Sequence, residues 1–176
     1  MERGGRYRIE AGFILYKCRG SLNVKLTHET TLEFSGEDRI GVRGDCVACI
    51  NGRQVYKSDW CIGGVTCIRL LITPPPWSSG EDILSFSIKC KASCKAVGNT
   101  LVLRRSSHCD DRTLASKCGI CAACLPVEVR KLLSNPYTII YLVATCARRP
   151  EQPNTSIFEG RNRERVLVEG SCNAGN

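Results

Sequence analysis

The longest alternation of hydrophobic and polar residues in the chain runs from Leu22 to Phe34. Mainly apolar residues occupy every second position and the residues between them are polar, which is the period of a half-buried β-strand. The sequence therefore predicts one long strand here, then a turn at Ser35–Asp38 and a second apolar run at Cys46–Ile50. Because Asn-Gly favours tight turns, Asn51-Gly52 predicts that the chain then folds back as a hairpin.

Shorter apolar or alternating runs predict further strands. These runs are Gly12–Lys17, Val65–Thr73, Leu84–Lys95, Thr100–Arg105 and Tyr137–Ala147. Pro74–Gly80 reads as a loop, because proline cannot join a central ladder. One short helix is predicted near 126–134, since Pro126 suits its first position and Val129 and Leu132 share one face.

Two parts of the chain carry similar features in the same order. Thr31–Phe34 leads to Asp38-Arg39 and a run ending in Cys49-Ile50, and Thr100–Leu103 leads to Asp111-Arg112 and a run ending in Cys124-Leu125. We interpret them as a duplicated strand–turn–strand unit whose two Asp-Arg turns are related by a pseudo-twofold axis and border one cleft.

These patterns predict a mainly β fold: a barrel-like or sandwich-like antiparallel sheet of about six to nine strands with one short helix. We expect residues 1–176 to form a single domain with its core at about 12–147. Residues 148–176 read as a loop, an edge strand near Glu164–Glu169 and a frayed tail.

Composition and charge narrow the class of protein. Of the 176 residues, 43% are hydrophobic, which excludes bulk disorder. No run of about 18 apolar residues is present, and the charged start of the chain does not resemble a signal peptide, so we expect no membrane partner and a cytoplasmic location. A net charge of +8 would attract nucleic acid or phosphorylated ligands, but it equally suits a soluble basic surface.

Thirteen cysteines are unusual for a chain with no export signal. In the cytosol of a mesophile, so many cysteines would indicate metal or redox chemistry. In the cytosol of a hyperthermophile, they could instead form structural disulfides or serve as small apolar core residues. The soft ligands that could hold zinc or an iron–sulfur cluster are His108, Cys109, Cys118, Cys121 and Cys124, with Cys46 and Cys49 as a second half-site. On an extended strand Cys121 and Cys124 would point to opposite faces, so we assign no metal ligand and leave the cofactor open.

Several segments resemble a family of uncharacterised archaeal proteins, domain of unknown function family 371. They are THETTLEF (Thr27–Phe34), RGDCVACI (Arg43–Ile50), RRS (Arg104–Ser106), DDRTL (Asp110–Leu114) and AACLPVEVRKLL (Ala122–Leu133). The resemblance implies a compact domain in an archaeal cytoplasm with no assigned reaction. The family pattern has Ala-Asp-Lys after each apolar run, whereas this chain has Gly52-Arg53-Gln54 and Cys118-Gly119-Ile120.

Arginine, hydroxyl and carboxylate side chains near the predicted turns form the candidate ligand site. They are Arg39, Arg43, Asp45, Arg104, Arg105, Ser106, Asp111, Arg112 and Thr113. Guanidinium forks and hydroxyls suit phosphate or carboxylate, although ordinary turn salt bridges would use the same residues. A predicted hairpin through Gly98-Asn99 would add Lys89, Lys91 and Lys95 beside Arg104 and Arg105.

Three functions remain open at this point. The first is a non-enzymatic protein that binds an anionic ligand, either RNA or a phosphorylated small molecule, although 6% aromatic residues is low for base stacking. The second is an enzyme acting on a phosphorylated substrate through Asp45, Asp111 and the arginines, and the third is a cysteine-rich metal-binding protein. Cys46 could also act as a nucleophile with His28 as its base, but an inert buried cysteine and a core histidine fit the pattern better. The oligomeric state is left open.

Overall fold

The computed structural model describes residues 9–78 and 82–148. Its strands are β1 (Glu10–Arg19), β2 (Thr31–Phe34), β3 (Val47–Lys57), β4 (Val65–Thr73), β5 (Leu84–Ser93), β6 (Leu101–Arg104), β7 (Thr113–Cys118) and β8 (Ile139–Arg148). Helix α1 (Val127–Leu133) follows a short 3-10 turn, Ala122–Cys124, in the connection between β7 and β8. The predicted loop, edge strand and tail after Arg148 lie outside the described residues.

The eight described strands close into a barrel in the order β1-β3-β2-β6-β7-β5-β4-β8. This confirms the mainly β, barrel-like prediction and the single short helix. The sheet is not wholly antiparallel as predicted, because β2 runs parallel to β3 and β6 runs parallel to β7. Each parallel pair needs its connecting loop to return to the start of the neighbouring strand, so the loops 35–46 and 105–112 cross back along the barrel.

The duplication is visible in the topology. If β1, β2, β3 and β4 are exchanged with β5, β6, β7 and β8, each strand keeps the same neighbours around the barrel. The register repeats as well, including one shift at the same place in each parallel pair: Glu33 and Phe34 lie beside Val47 and Cys49, and Val102 and Leu103 lie beside Thr113 and Ala115. A pseudo-twofold axis therefore passes between β2 and β6, which are antiparallel neighbours.

Equivalent positions in β3 and β7 share an unusual backbone. Asn51 and Lys117 both have positive φ, 55° and 52°. The Asn51 N–H donates to the carbonyl of Glu37 at 2.7 Å and the Lys117 N–H donates to that of Ser106 at 2.8 Å. The register thus equates Asp45-Cys46 with Asp111-Arg112, so the predicted equivalence of Asp38-Arg39 with Asp111-Arg112 is wrong.

The core fills the inside of the barrel. Alternate residues of the strands point inward, as in β1, where Ile14, Tyr16 and Cys18 are buried, and in β8, where Ile140 and Leu142 are buried. Inward-facing apolar side chains from opposite walls meet there and remove their surface from water, which is the main stabilising term for such a fold. The helix α1 adds Val129 and Leu133 to the same cluster.

The long strand predicted from Leu22 to Phe34 is wrong for its first part. Only Thr31–Phe34 is strand, and 20–30 is a loop. Leu22 is 77% exposed and Leu26 has φ of +52°, which is incompatible with a continuous strand. The alternation correctly predicted that Leu32 and Phe34 of the short strand point inward, but the same alternation continues through residues of a loop.

The predicted turn at Asn51-Gly52 is also wrong, because β3 continues through these residues to Lys57. The ring of Tyr16 packs against Gly52, where a Cβ atom would meet the phenol oxygen. Asn51 and Gly52 therefore serve a backbone irregularity inside a strand rather than a hairpin. The strand bounds predicted for β4, β5, β6 and β8 agree with the structure to within about two residues.

The predicted hairpin of β5 and β6, which would bring the lysines beside the arginines, does not form. β5 and β6 are not neighbours, because β7 lies between them. Lys89 and Lys91 on β5 are exposed, but a whole strand separates them from Arg104 on β6. The short Gly98-Asn99 connection predicted that β5 and β6 pair with each other, whereas β6 pairs with β2 in the duplicated topology.

Five disulfides lie in the described part of the chain. They join Cys18 to Cys49, Cys61 to Cys146, Cys90 to Cys118, Cys94 to Cys109, and Cys121 to Cys124. Cys46 is the free cysteine among the described residues. No helix in the described part combines the length and the apolarity that a membrane crossing requires.

Candidate functional site

A hydrogen-bonded cluster joins β6, β7 and the loop between them. The guanidinium of Arg104 donates to the hydroxyl of Thr113 at 2.9 Å and to the carboxylate of Asp110 at 2.8 Å. The Thr113 hydroxyl donates to the same carboxylate at 2.8 Å, and the N–H of Arg112 donates to it at 3.0 Å. Arg104 and Thr113 were predicted for the ligand site, and the structure brings them together around Asp110 rather than the predicted Asp111.

Electrostatics keep the Asp110 carboxylate ionised. Burial opposes its ionisation, but hydrogen bonds from Thr113 and the Arg112 N–H and the charges of Arg104 and Arg112 outweigh burial and lower its pKa to about 2. Three donors to one carboxylate leave little capacity for a ligand. This cluster matches the alternative of an internal salt bridge that fixes the loop.

The remaining predicted site residues are spread over the surface. Arg39 lies 3.6 Å from Asp38 and both are well exposed, and Arg105 contacts the carbonyl of Glu29 at 3.4 Å. Ser106 Oγ accepts from the N–H of His108, and the carbonyl of Asp111 accepts from the N–H of Val97.

Arg43 and Arg112 lie at opposite ends of the barrel. Arg43 precedes β3 and Arg112 precedes β7, and these two strands run in opposite directions on either side of the β2–β6 pair. Asp45 accepts backbone N–H groups from Thr27 and His28 through its carbonyl. Binding of a ligand by this set of residues stays a prediction.

The candidate nucleophile Cys46 is poorly suited to attack. Burial, and then the negative charges of Glu33 and Asp45, raise the pKa of its thiol to about 11. The thiol donates to the Glu33 carboxylate at 3.7 Å, while Nδ1 of His28 accepts from the Thr30 N–H at 3.2 Å. The two side chains therefore direct these hydrogen bonds to other residues and not to each other.

Apart from the free thiol of Cys46, the sulfur atoms considered as metal ligands are all in disulfides. Cys121 is joined to Cys124, and Cys118, Cys109 and Cys49 are joined to cysteines on other elements. A sulfur atom in a disulfide carries no thiolate charge with which to bind zinc. Among the described residues no group of three or more His, Cys, Asp or Glu side chains has metal-binding geometry.

A basic hollow of about 200 Å³ lies where β1, β3 and β8 meet. Its lining residues are Lys17, Cys18, Arg19, Asn51, Arg53 and Ile139. No carboxylate is among them, so the three charged side chains of the lining are all positive. A second, larger hollow of about 420 Å³ lies between the segments 22–25 and 40–42, and neither of these two hollows includes a predicted site residue.

The strand register creates the basic hollow. Lys17 and Arg53 are directly opposite each other on β1 and β3, and the register then shifts before Arg19 meets Ile50. Such a shift opens the local spacing of the two strands and re-aims side chains. Arg19 also pairs with Ile139, which brings the start of β8 to the same place.

Neighbouring groups hold the cationic side chains in place. The Lys17 ammonium lies 5.6 Å above the centre of the Tyr141 ring. With the Asn51 amide turned so that its oxygen faces Arg19, Oδ1 accepts from Nη2 at 3.1 Å and from Nε at 2.8 Å. Arg53 is exposed, so its guanidinium keeps donors for a ligand.

The sequence analysis missed Lys17, Arg19 and Arg53 because the predicted hairpin sent the residues after Asn51 away from β1. Their signal was present in the alternation of β1, where Lys17 and Arg19 fall on the face opposite the buried Tyr16 and Cys18. Only the pairing of β1 with β3 shows that a third cation, Arg53, joins them.

Comparison with known families adds one finding. Residues 16–58 match the family described as Domain of unknown function (DUF371). The match confirms the family resemblance for residues 16–58, which contain β1 from Tyr16, β2 and β3. Five of the six residues that line the basic hollow, all but Ile139, lie within the matched residues. No curated protein matches the chain.

Proposed function

We propose that the protein binds an anionic ligand, a phosphorylated small molecule, at the basic hollow formed by Lys17, Arg19 and Arg53. The observation that carries the proposal is the direct opposition of Lys17 and Arg53 across β1 and β3. Like charges facing each other on neighbouring strands are destabilising. A phosphate between them converts that repulsion into two charge-assisted contacts.

The size of the hollow favours a small ligand over a polymer. About 200 Å³ accommodates one or two phosphate groups and is smaller than the usual cavity for a drug-sized molecule. RNA would need a longer basic track or aromatic platforms, but no aromatic residue lines the hollow, and the Tyr141 ring beside Lys17 is covered by the Lys17 ammonium. Binding rather than catalysis is proposed because the lining offers no carboxylate, histidine or free thiol, since Cys18 is disulfide-bonded.

Inorganic pyrophosphate, titrated calorimetrically into the full chain at low salt, tests the proposal. We expect binding that weakens as salt increases, because the contacts are ionic. Arg53→Ala should weaken binding about 10-fold or more, the usual cost of losing one charge-assisted hydrogen bond, and Lys17→Ala should do the same. Lys91→Ala removes an exposed charge from β5 and is the matched control, which should leave binding unchanged.

The outcomes separate the possible functions. Equal weakening by Lys91→Ala and Arg53→Ala would show attraction to net charge only and would reject the site. A single-stranded RNA that binds with a steep salt dependence, while pyrophosphate does not bind, would instead support the RNA version. Loss of pyrophosphate binding in Arg104→Ala but not in Arg53→Ala would move the site to the residues first predicted.

For location we propose the cytoplasm of a hyperthermophilic archaeon, because disulfides persist inside such cells. In other organisms, five disulfides would favour an oxidising compartment. Fractionation of the source cells, with the protein followed by antibody, distinguishes the two.

A further inference from the structure

The disulfide between Cys121 and Cys124 differs from the others described. Only two residues, Ala122 and Ala123, separate its cysteines, and with Cys124 they form the 3-10 turn before α1. The other four described disulfides span 15 to 85 residues. Cys124 is exposed whereas Cys121 is 1% exposed, so one sulfur of the pair can meet an incoming thiol and the other is shielded.

A permanent positive charge lies against this turn. Nη2 of Arg130 donates to the carbonyl of Ala123 at 3.1 Å and to that of Leu26 at 2.7 Å. Nε of Arg130 is buried without a hydrogen-bond partner, and no carboxylate of the described residues lies within ion-pair distance of the guanidinium. The charge is therefore not neutralised by an acid, and a neighbouring guanidinium favours a thiolate.

One other described disulfide provides an internal comparison. Cys109 is exposed and its partner Cys94 is buried, so this pair is equally open to attack. Its neighbour in the chain is Asp110, an ionised carboxylate that is paired with Arg104 at 2.8 Å and lies near the charge of Arg112, so charges of both signs surround Cys109. Accessibility is thus matched between the two disulfides, but a described cation without an acid partner lies beside the Cys121–Cys124 turn, whereas charges of both signs surround Cys109.

We propose that Cys121–Cys124 is a redox-active disulfide that undergoes thiol–disulfide exchange with a dithiol partner. A thiolate of the partner attacks Sγ of Cys124, and a mixed disulfide forms as the Cys121–Cys124 bond breaks. The electron pair of the broken bond goes to Cys121, which takes a proton from solvent. The second thiol of the partner then attacks the mixed disulfide at the partner's own sulfur, which releases Cys124. The partner dithiol is oxidised to a disulfide and Cys121 and Cys124 are reduced to two thiols.

The fold permits this disulfide to open without unfolding. A link between residues three apart restricts the unfolded chain far less than one between residues 85 apart. The turn is also anchored by other contacts, since the Ala123 N–H donates to the carbonyl of His28 at 3.0 Å. Both redox states can therefore keep the same barrel, which repeated exchange requires.

Partial reduction of the full chain tests the proposal. The probe is dithiothreitol at pH 7, with free thiols alkylated at intervals and assigned by mass spectrometry of peptides. We expect Cys121 and Cys124 to be labelled about 10-fold faster or more than Cys109, while the near-ultraviolet circular dichroism stays native. Labelling of Cys109 at the same rate, or opening of Cys121–Cys124 only together with loss of the native spectrum, would overturn the proposal.

Single-cysteine variants identify which sulfur is attacked. Cys121→Ser leaves exposed Cys124, which should form a stable mixed disulfide with glutathione disulfide. Cys124→Ser leaves buried Cys121, which should react at least about 10-fold more slowly. Equal reactivity of the two variants would contradict the assignment of Cys124 as the attacked residue.

Arg130 is a positioning residue whose charge can be tested separately. Arg130→Gln should slow alkylation of Cys124 in the Cys121→Ser background severalfold at pH 7, and the rate should recover at higher pH. Arg130→Lys should restore much of the rate at pH 7, because it keeps the charge. Equal rates with Gln and Lys would mean that the guanidinium acts only through its contacts to Leu26 and Ala123 and would remove Arg130 from the proposal.

Discussion

Asp110 carries more interactions than any other carboxylate described in the protein. Its side chain accepts from Arg104, Thr113 and the N–H of Arg112, and its own N–H donates to the Thr113 hydroxyl at 3.1 Å. Together with the Cys94–Cys109 disulfide, this residue holds the loop between β6 and β7 in place. Its neighbour Asp111 is exposed, and the sequence does not distinguish the two adjacent acids.

Replacement of this carboxylate should have a pH-dependent cost. The folded-state pKa of about 2 lies below the ordinary value of 3.8, so ionised Asp110 stabilises the fold above about pH 4, and the stabilisation is lost as the pH falls towards 2. Asp110→Asn should lower the free energy of unfolding by about 1 kcal/mol at pH 7, allowing for its partial exposure, and by little at pH 2. Urea unfolding at both pH values measures the difference.

The control for this prediction is Asp111→Asn, which changes the same charge one position away. We expect it to leave the free energy of unfolding almost unchanged at both pH values. A loss for Asp110→Asn that is the same at pH 7 and pH 2 would show that the side chain acts through shape rather than charge.

At the level of single elements, β3 shows how packing overrides a strong turn signal. Tyr16 lies in the barrel interior and its hydroxyl contacts the carbonyls of Phe34 and Asn99, at 3.1 Å and 2.6 Å. Burial, followed by the charge of Glu33, raises the pKa of this phenol above its ordinary value of 10, so the hydroxyl keeps its proton as a donor. The ring occupies the space beside Gly52 and needs a residue without a side chain there.

Gly52→Ala should therefore destabilise the barrel. The new Cβ would meet the Tyr16 hydroxyl and ring, and we expect the free energy of unfolding to fall by about 2 kcal/mol or more, as in other overpacked cores. Gly119→Ala is the control, because its nearest contact would be the Lys89 carbonyl at 4.0 Å. Guanidinium denaturation of the two variants makes the comparison, and an equal effect at both positions would show that Tyr16 can move aside.

At the scale of the whole molecule, the disulfides tie distant parts of the barrel together. Cys61 lies in the connection between β3 and β4 and is joined to Cys146 on β8, 85 residues later. Cys18 is joined to Cys49, 31 residues later, between β1 and β3. Long closed loops remove much freedom from the unfolded chain, so these links should dominate the contribution of disulfides to stability.

The stability cost of removing a disulfide should follow the length of the loop that it closes. Replacing both Cys61 and Cys146 by Ala should lower the free energy of unfolding by about 4 kcal/mol, against about 2 kcal/mol or less for Cys121 and Cys124. Guanidinium unfolding of the two double variants without reductant measures both losses. A larger loss for the Cys121 and Cys124 pair would contradict the loop-length argument and would also mean that its opening disturbs the fold.

The duplicated architecture also explains which sequence-based predictions succeeded. Inward and outward alternation is a local property of a strand, so β1, β4, β5, β6 and β8 could be located from residue patterns alone. The repeat was recognisable because both halves keep the order of strand, loop and strand. Its alignment was wrong around Asp38-Arg39, since the two crossing loops differ in length and only backbone pairing equates Asp45 with Asp111.

By itself, the sequence determined the β class, the positions of most strands, the short helix and the family resemblance, because each depends on residues close together in the chain. Only the tertiary structure decided the parallel pairs, the cysteine partners and the meeting of Lys17, Arg19 and Arg53 at one hollow. These features join residues that are tens of positions apart, and their formation depends on strand order and register around the closed barrel. Local periodicity carries no information about either quantity.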